Sequence, residues 1–216
     1  MAIDLNVENP FCNPVLSTRP DRHQNETFKG VGQALSAFES VETAIALLYA
    51  DFVAPTGTNG IILYSFSAIN TANQRRNLTE LAANAYFSAV VSEALHNKTT
   101  RALTLYKNAS ERRNEVAHGA VVGHPEKPFN PDSSQDFIQI SNENPAYYYL
   151  VLPMFSSRKR EAFFAAEKYR YAKVDLRELA HNFTMLYHFV GRLTAEIETH
   201  FQSLPETVRH IFDAQQ

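Results

Sequence analysis

The chain has 216 residues, of which 44% are hydrophobic and 20% charged, with a formal net charge of -3. This is the composition of a globular protein long enough to bury a core, and its weak acidity excludes a protein that coats nucleic acid by general charge, leaving only local contacts. A single cysteine, Cys12, excludes an internal disulfide, and no run approaches the roughly 18 apolar residues of a membrane span.

The opening "MAIDLNVENPFCNP" carries acids and prolines where a signal peptide needs a basic end and an apolar core, so a cytoplasmic protein with no membrane partner is expected. Residues 1–27 hold Pro10, Pro14 and Pro20, follow no period and read as a loose N-terminal arm. Helical periodicity then dominates 28–204, taken as a single domain. In its first helix Val31, Leu35, Phe38, Ile45, Tyr49 and Phe52 form an apolar seam in steps of three and four. The step between Phe38 and Ile45 lands on Glu42, an acid where the stripe asks for an apolar residue.

"APTGTNG" (54–60) ends that helix with proline and glycines. "IILYSFSAI" (61–69) fits a short strand or a helical turn. A second helix is expected from about Asn73 to Leu95, with Leu78, Leu81 and Ala85 on its apolar side. A third starts near Thr99 or Thr100, either of which suits an N-cap, and ends at Gly119. Between 120 and 160, "GHPEKPFNPDSSQ" is turn-rich while "DFIQIS" and "AYYYLVLPMF" are β-prone, which predicts a loop and β-hairpin inserted into the helical domain. "SRKREAFFAAEKYRY" reads as a short basic helix. In the last helix Asp175 and Glu178 suit an N-cap and N3 pair. Leu176, Leu179, Phe183, Leu186, Val190, Leu193 and Ile197 then keep a three–four seam, and 205–216 follows as a C-terminal tail. The expected fold class is mainly α, an antiparallel helical bundle with a small β-hairpin insertion.

The chemistry concentrates in "ERRNEVAHG" (111–119). On the seam of the third helix Ala102, Tyr106, Ala109, Arg113 and Val116 form the inward line, with Arg112 one step round. A buried guanidinium needs a carboxylate, and Glu42 on the first seam is the natural partner. On an ideal helix Arg113 and His118 stand about 140° apart, so they share a face only if the last turn loosens or a second subunit supplies the partner.

"RNEVAH", Arg113 to His118, resembles the R-x(4–6)-H signature of HEPN domains (higher eukaryote and prokaryote nucleotide-binding), with Asn114 in the polar position after the arginine. The surroundings agree: an acid-bearing first helix, "AFESVETAIALLY", the motif closing a middle helix, and a last helix introduced by "KYRYAKVDLRELAHNF". The resemblance implies a HEPN-like bundle over about 28–202 that forms a homodimer, so that two motifs meet in one cleft. It implies a metal-independent endoribonuclease, of the kind used in toxin–antitoxin or antiviral defence systems, with no cofactor and in some cases a cognate inhibitor protein. His118 would act as general acid/base on an RNA 2′-hydroxyl and a leaving 5′-oxygen. Arg113, helped by Arg112, would clamp the phosphate, and Asn114 would orient the histidine or the substrate. The alternatives are a noncatalytic HEPN-like nucleotide- or RNA-binding or protein-interaction module, and a plain bundle whose "RNEVAHG" is only a helix end.

Other sets carry less. Arg75–Arg76, Arg112–Arg113 and Arg158–Lys159–Arg160, with Lys168, Arg170 and Lys173, frame either an RNA path or solvated helix ends, the second being commoner. Tyr147–Tyr148–Tyr149 reads as a packed strand sooner than a stacking platform. His181 and His188 share a face without a third ligand, which argues against a metal site. His124 has only its nearness to the motif, and no glycine loop carries the P-loop lysine.

Overall fold

The structure, a computed structural model, describes residues 4–13, 21–57, 60–125, 147–153 and 170–213. It is mainly helical, with a two-stranded antiparallel sheet. Its elements are α1 (Gln24–Val53), α2 (Gly60–Ser67), α3 (Ala72–Ala89), α4 (Glu93–Ala117), β1 (Gly119–Pro125), β2 (Tyr147–Pro153), α5 (Lys173–Ser203) and α6 (Glu206–Asp213). None of these helices is long and apolar enough to cross a membrane. The chain divides into two compact units. The first comprises Met1–Asn9, Glu39–Ser110 and Phe183–Gln216, the second Pro10–Phe38 and Glu111–Asn182.

In the first unit the buried line of α1 is Val41, Ile45, Leu48 and Phe52. Val41, not Glu42, fills the step after Phe38, so the acid sits at the margin of the stripe. "IILYSFSAI" resolves as the helix α2, which buries Phe66 alone. Thr71 caps α3, its hydroxyl oxygen accepting from the Gln74 N–H at 3.2 Å. The inner face of α3 is Thr79, Ala83, Tyr86 and Phe87, while Leu81 is 67% exposed, so the apolar side expected there is turned. The α3–α4 break falls at 90–92, earlier than the sequence suggests. Thr99 is then no cap: it lies inside α4, buried, with its hydroxyl bonded to the Leu95 carbonyl.

The α5 seam is as read: Phe183, Leu186, Val190, Leu193 and Ile197 are all buried. Burying a side chain of this kind contributes about 1.5–3 kcal/mol. Phe52, Tyr86 and Phe87 pack edge to face or tilted, and Phe212 reaches Tyr86 and Phe201, so the expected tail contains a packed helix, α6. The start of the arm is packed too. Leu5 is buried, and Arg101 donates to the Leu5 and Glu8 carbonyls.

In the second unit β1 pairs antiparallel with β2, Gly119 opposite Pro153 and Pro125 opposite Tyr147. The partner of "YYYLVLP" is therefore "GAVVGHP", directly after the motif. "DFIQIS" and the expected basic helix up to 169 lie outside the described residues. Asp21 ties this unit together. Its backbone exchanges hydrogen bonds with Tyr149, and its carboxylate accepts from the Thr27 hydroxyl at 2.9 Å and the Lys173 N–H at 2.6 Å. The start of α5 also differs in detail. Ala172 stands at the N-cap, and Asp175, three residues on, accepts its N–H at 2.8 Å, the N3 half of a capping box. Gly30 of α1 lies against Leu176, a close approach that a β-carbon would obstruct.

Candidate functional site

The site is built on the last two turns of α4, in the second unit. Arg112 is the buried arginine, 7% exposed, and it occupies the inward position expected for Arg113. Its Nη2 pairs with Glu115 Oε1 at 2.8 Å, one helical turn on, and lies 3.9 Å from Glu111. The other oxygen of Glu115 accepts from the hydroxyl of fully buried Tyr171. Tyr171 is held in turn by paired backbone hydrogen bonds with Val151 of β2, at 2.9 and 3.1 Å. Burial pushes the Glu115 carboxyl up, against the opposing pull of the Tyr171 hydroxyl and Arg112. Nε and Nη1 of Arg112 are buried without an acceptor, so this guanidinium gives up part of its hydrogen bonding to remain inside.

Arg113 is half-buried. Its guanidinium carbon stands 5.6 Å from the centre of the Phe38 ring, and Nη1 donates to Asn114 Oδ1 at 3.1 Å. The geometry suits a cation–π contact that pins the side chain. Asn114 and His118 are both exposed. The His118 N–H still bonds the Asn114 carbonyl at 3.0 Å, so the helical pattern runs to the end and the last turn does not loosen. On such a helix Asn114 and His118 lie about 40° apart, on one face, while Arg113 stays about 140° from His118.

Comparison of the chain with family models, with curated proteins and with solved structures finds no match.

Glu42 is engaged within the first unit. Its Oε2 accepts from Arg75 Nη1 at 2.6 Å and from the Tyr106 hydroxyl at 2.8 Å. Arg75 also donates Nε to the Ile69 carbonyl and lies 6.0 Å from the Phe66 ring centre. Burial first, then Glu42, drives the Tyr106 phenol well above its usual range, so it acts as a donor only. This is a structural knot of α1, α3 and α4. Arg76 is likewise engaged, with Glu80 at 3.0 Å. Two members of the expected RNA path thus serve helix packing.

His124 lies in β1 opposite Tyr148, and Tyr147 to Tyr149 form the start of β2. His181 and His188 are exposed on α5, and no group of three metal-ligating side chains occurs among the described residues. Sequence reasoning missed Glu115 and Tyr171. Glu115 had a signal, an acid three residues after Arg112 on one helix. Tyr171 had none, because its role depends on the strand that fixes its backbone.

Proposed function

We propose that the protein is a HEPN-like, metal-independent endoribonuclease acting as a homodimer, in which His118 of one copy meets Arg113 of the other across the ends of their α4 helices. The observation that carries this reading is the split presentation of the motif: an exposed imidazole next to Asn114, and an arginine pinned about 140° away on the same regular helix. The two side chains leave one helix in different directions, and in this reading they come onto one phosphate where two copies meet. His118 takes the proton from the 2′-hydroxyl and, in its imidazolium form, returns one to the leaving 5′-oxygen. Arg113 binds the non-bridging oxygens and stabilises their charge. Asn114 holds Arg113 through its side-chain oxygen, and the products are a 2′,3′-cyclic phosphate and a 5′-hydroxyl. Arg112 is assigned to the fold, through Glu115 and Tyr171, and no longer to the phosphate.

In this reading the enzyme works in the cytoplasm in a toxin or defence role, with a cognate inhibitor protein as partner. A second reading, an RNA- or nucleotide-binding module without cleavage, is favoured by the engagement of Arg113 with Phe38 and Asn114, which already occupies part of its donor surface. Incubation with single-stranded RNA in EDTA separates them. Cleavage that stops in His118→Ala, and at a site bearing a 2′-deoxy sugar, supports the nuclease. Intact RNA that nevertheless raises the melting temperature supports the binding module. Cleavage that persists in His118→Ala overturns the assignment of His118.

A further inference from the structure

The first half of α1, in the second unit, has an outer face of unusual make-up. Phe28 is 52% exposed. Gly32 and Ser36 are exposed with it, and Val31 and Leu35, members of the seam read from the sequence, are only half-buried. From Thr27 to Phe38 the only charged residue is Lys29. The outward side of a surface helix ordinarily carries charge, as the start of α5 does in the same unit with exposed Arg177 and Glu178. The two glycines of this stretch also differ. Gly30 is accounted for by Leu176, against which it lies. A β-carbon at Gly32 would meet nothing within 4 Å, although glycine weakens a helix interior relative to alanine. No described residue requires a glycine there. A backbone approaching from outside the chain would.

Phe28, Gly32 and Ser36 follow at four-residue steps, about 6 Å apart along the axis and drifting about 40° at each step. They form a line with a bulky ring at one end and a hollow over the two small residues. We propose that a second copy of the chain docks on this face, its α1 antiparallel to the first about a two-fold axis at Gly32. That axis sets Phe28 of each copy into the hollow over Gly32 and Ser36 of the other. One surface is then its own complement, as a two-fold interface requires. Gly32 at the crossing lets the two backbones come close, and Val31 and Leu35 beside the line lose exposed apolar area. Other occupants fit less well. Nucleic acid is held by several cations, and a strongly charged protein finds one lysine to answer it. One helix face per copy is at the small end of interface sizes, so the dimer dissociates on dilution. The pairing does not rest on the ribonuclease reading and stands whether or not RNA is cut.

The test is sedimentation equilibrium of the full chain over a concentration series. The expected result is a reversible monomer–dimer equilibrium in the parent. Gly32→Leu fills the hollow with a side chain that has open space in the monomer, and Phe28→Ser removes the ring that enters it. Each should weaken association by about tenfold or more, the scale of losing one interface anchor. Gln33→Ala, exposed and one step round the helix, should leave association unchanged. Circular dichroism and melting of dilute samples check that the variants fold as the parent does; Phe28 is half-exposed, so its variant serves even where the leucine disturbs the helix. A parent that stays monomeric throughout, a dimer of parent strength in a folded Gly32→Leu or Phe28→Ser protein, or an equal loss in Gln33→Ala would each overturn the proposal.

Discussion

Arg112 and Arg113 are neighbours with different burial, and the sequence did not say which of them turns inward. A seven-residue step along a helix divides as four and three or as three and four, and both divisions keep an apolar stripe. From Phe38 to Ile45 the choices are Glu42 and Val41; from Ala109 to Val116 they are Arg113 and Arg112. The structure takes the second division in both places. In α1 the chemistry could have decided, because Val41 is apolar and Glu42 is not. In α4 both candidates are arginines, and the sequence offers no basis for choosing. Since Arg112 is the buried cation, its loss should be the more damaging. Arg112→Ala leaves the part-buried Glu115 without its cation, an effect of up to about 3–5 kcal/mol. Tyr171→Phe removes one donor from the same carboxylate and should cost about 1–3 kcal/mol. Urea unfolding of both variants checks the order, and an Arg112→Ala protein as stable as the parent would remove Arg112 from the fold.

Among the elements, the long amphipathic helices were legible because their seams repeat over many turns. The α5 seam from Leu176 to Ile197 is buried throughout. Local punctuation misled where tertiary pairing decides. β1 was hidden because "GAVV" is short and acquires its strand geometry from β2. The packing of α1 on α5 in the second unit gives a direct test. Alanine favours a helix over glycine by about 1 kcal/mol, yet a β-carbon at position 30 would stand 3.0 Å from Leu176 Cδ1 and 3.1 Å from its Cβ. Leu176 is fully buried and cannot withdraw. Overpacking of this kind costs about 1–3 kcal/mol, so Gly30→Ala should lower the melting temperature, while Gly32→Ala, in open space, should raise it.

The end of α1 supplies a pH test. Burial first, then Glu198, pushes the folded Asp51 carboxyl up to about 6 against an ordinary 3.8, so the folded state binds the proton more tightly than the unfolded one. The resulting stabilisation is complete below about 3.8 and is lost as pH rises through about 6. Asp51→Asn should therefore melt higher than the parent at pH 8, with the gain shrinking towards pH 4. A gain independent of pH would place the effect elsewhere.

At the scale of the whole molecule the fold class was legible in the sequence, and the packing partners of each helix were not. Periodicity reports which face of a helix is buried, but not which neighbours bury it. The same limit applies to the site. The motif could be found by its residues, but a monomer sequence cannot say whether an exposed imidazole and a pinned guanidinium serve one phosphate. In the proposed reading that service belongs to two copies. Mixing Arg113→Gln and His118→Ala proteins, each inactive alone, under conditions that exchange subunits tests it most directly. Restored RNA cleavage in EDTA, at up to about a quarter of the parent rate on the random pairing expected of a two-fold dimer, is the predicted result. A mixture as inactive as its components, although the parent cuts RNA and the subunits exchange, would contradict it.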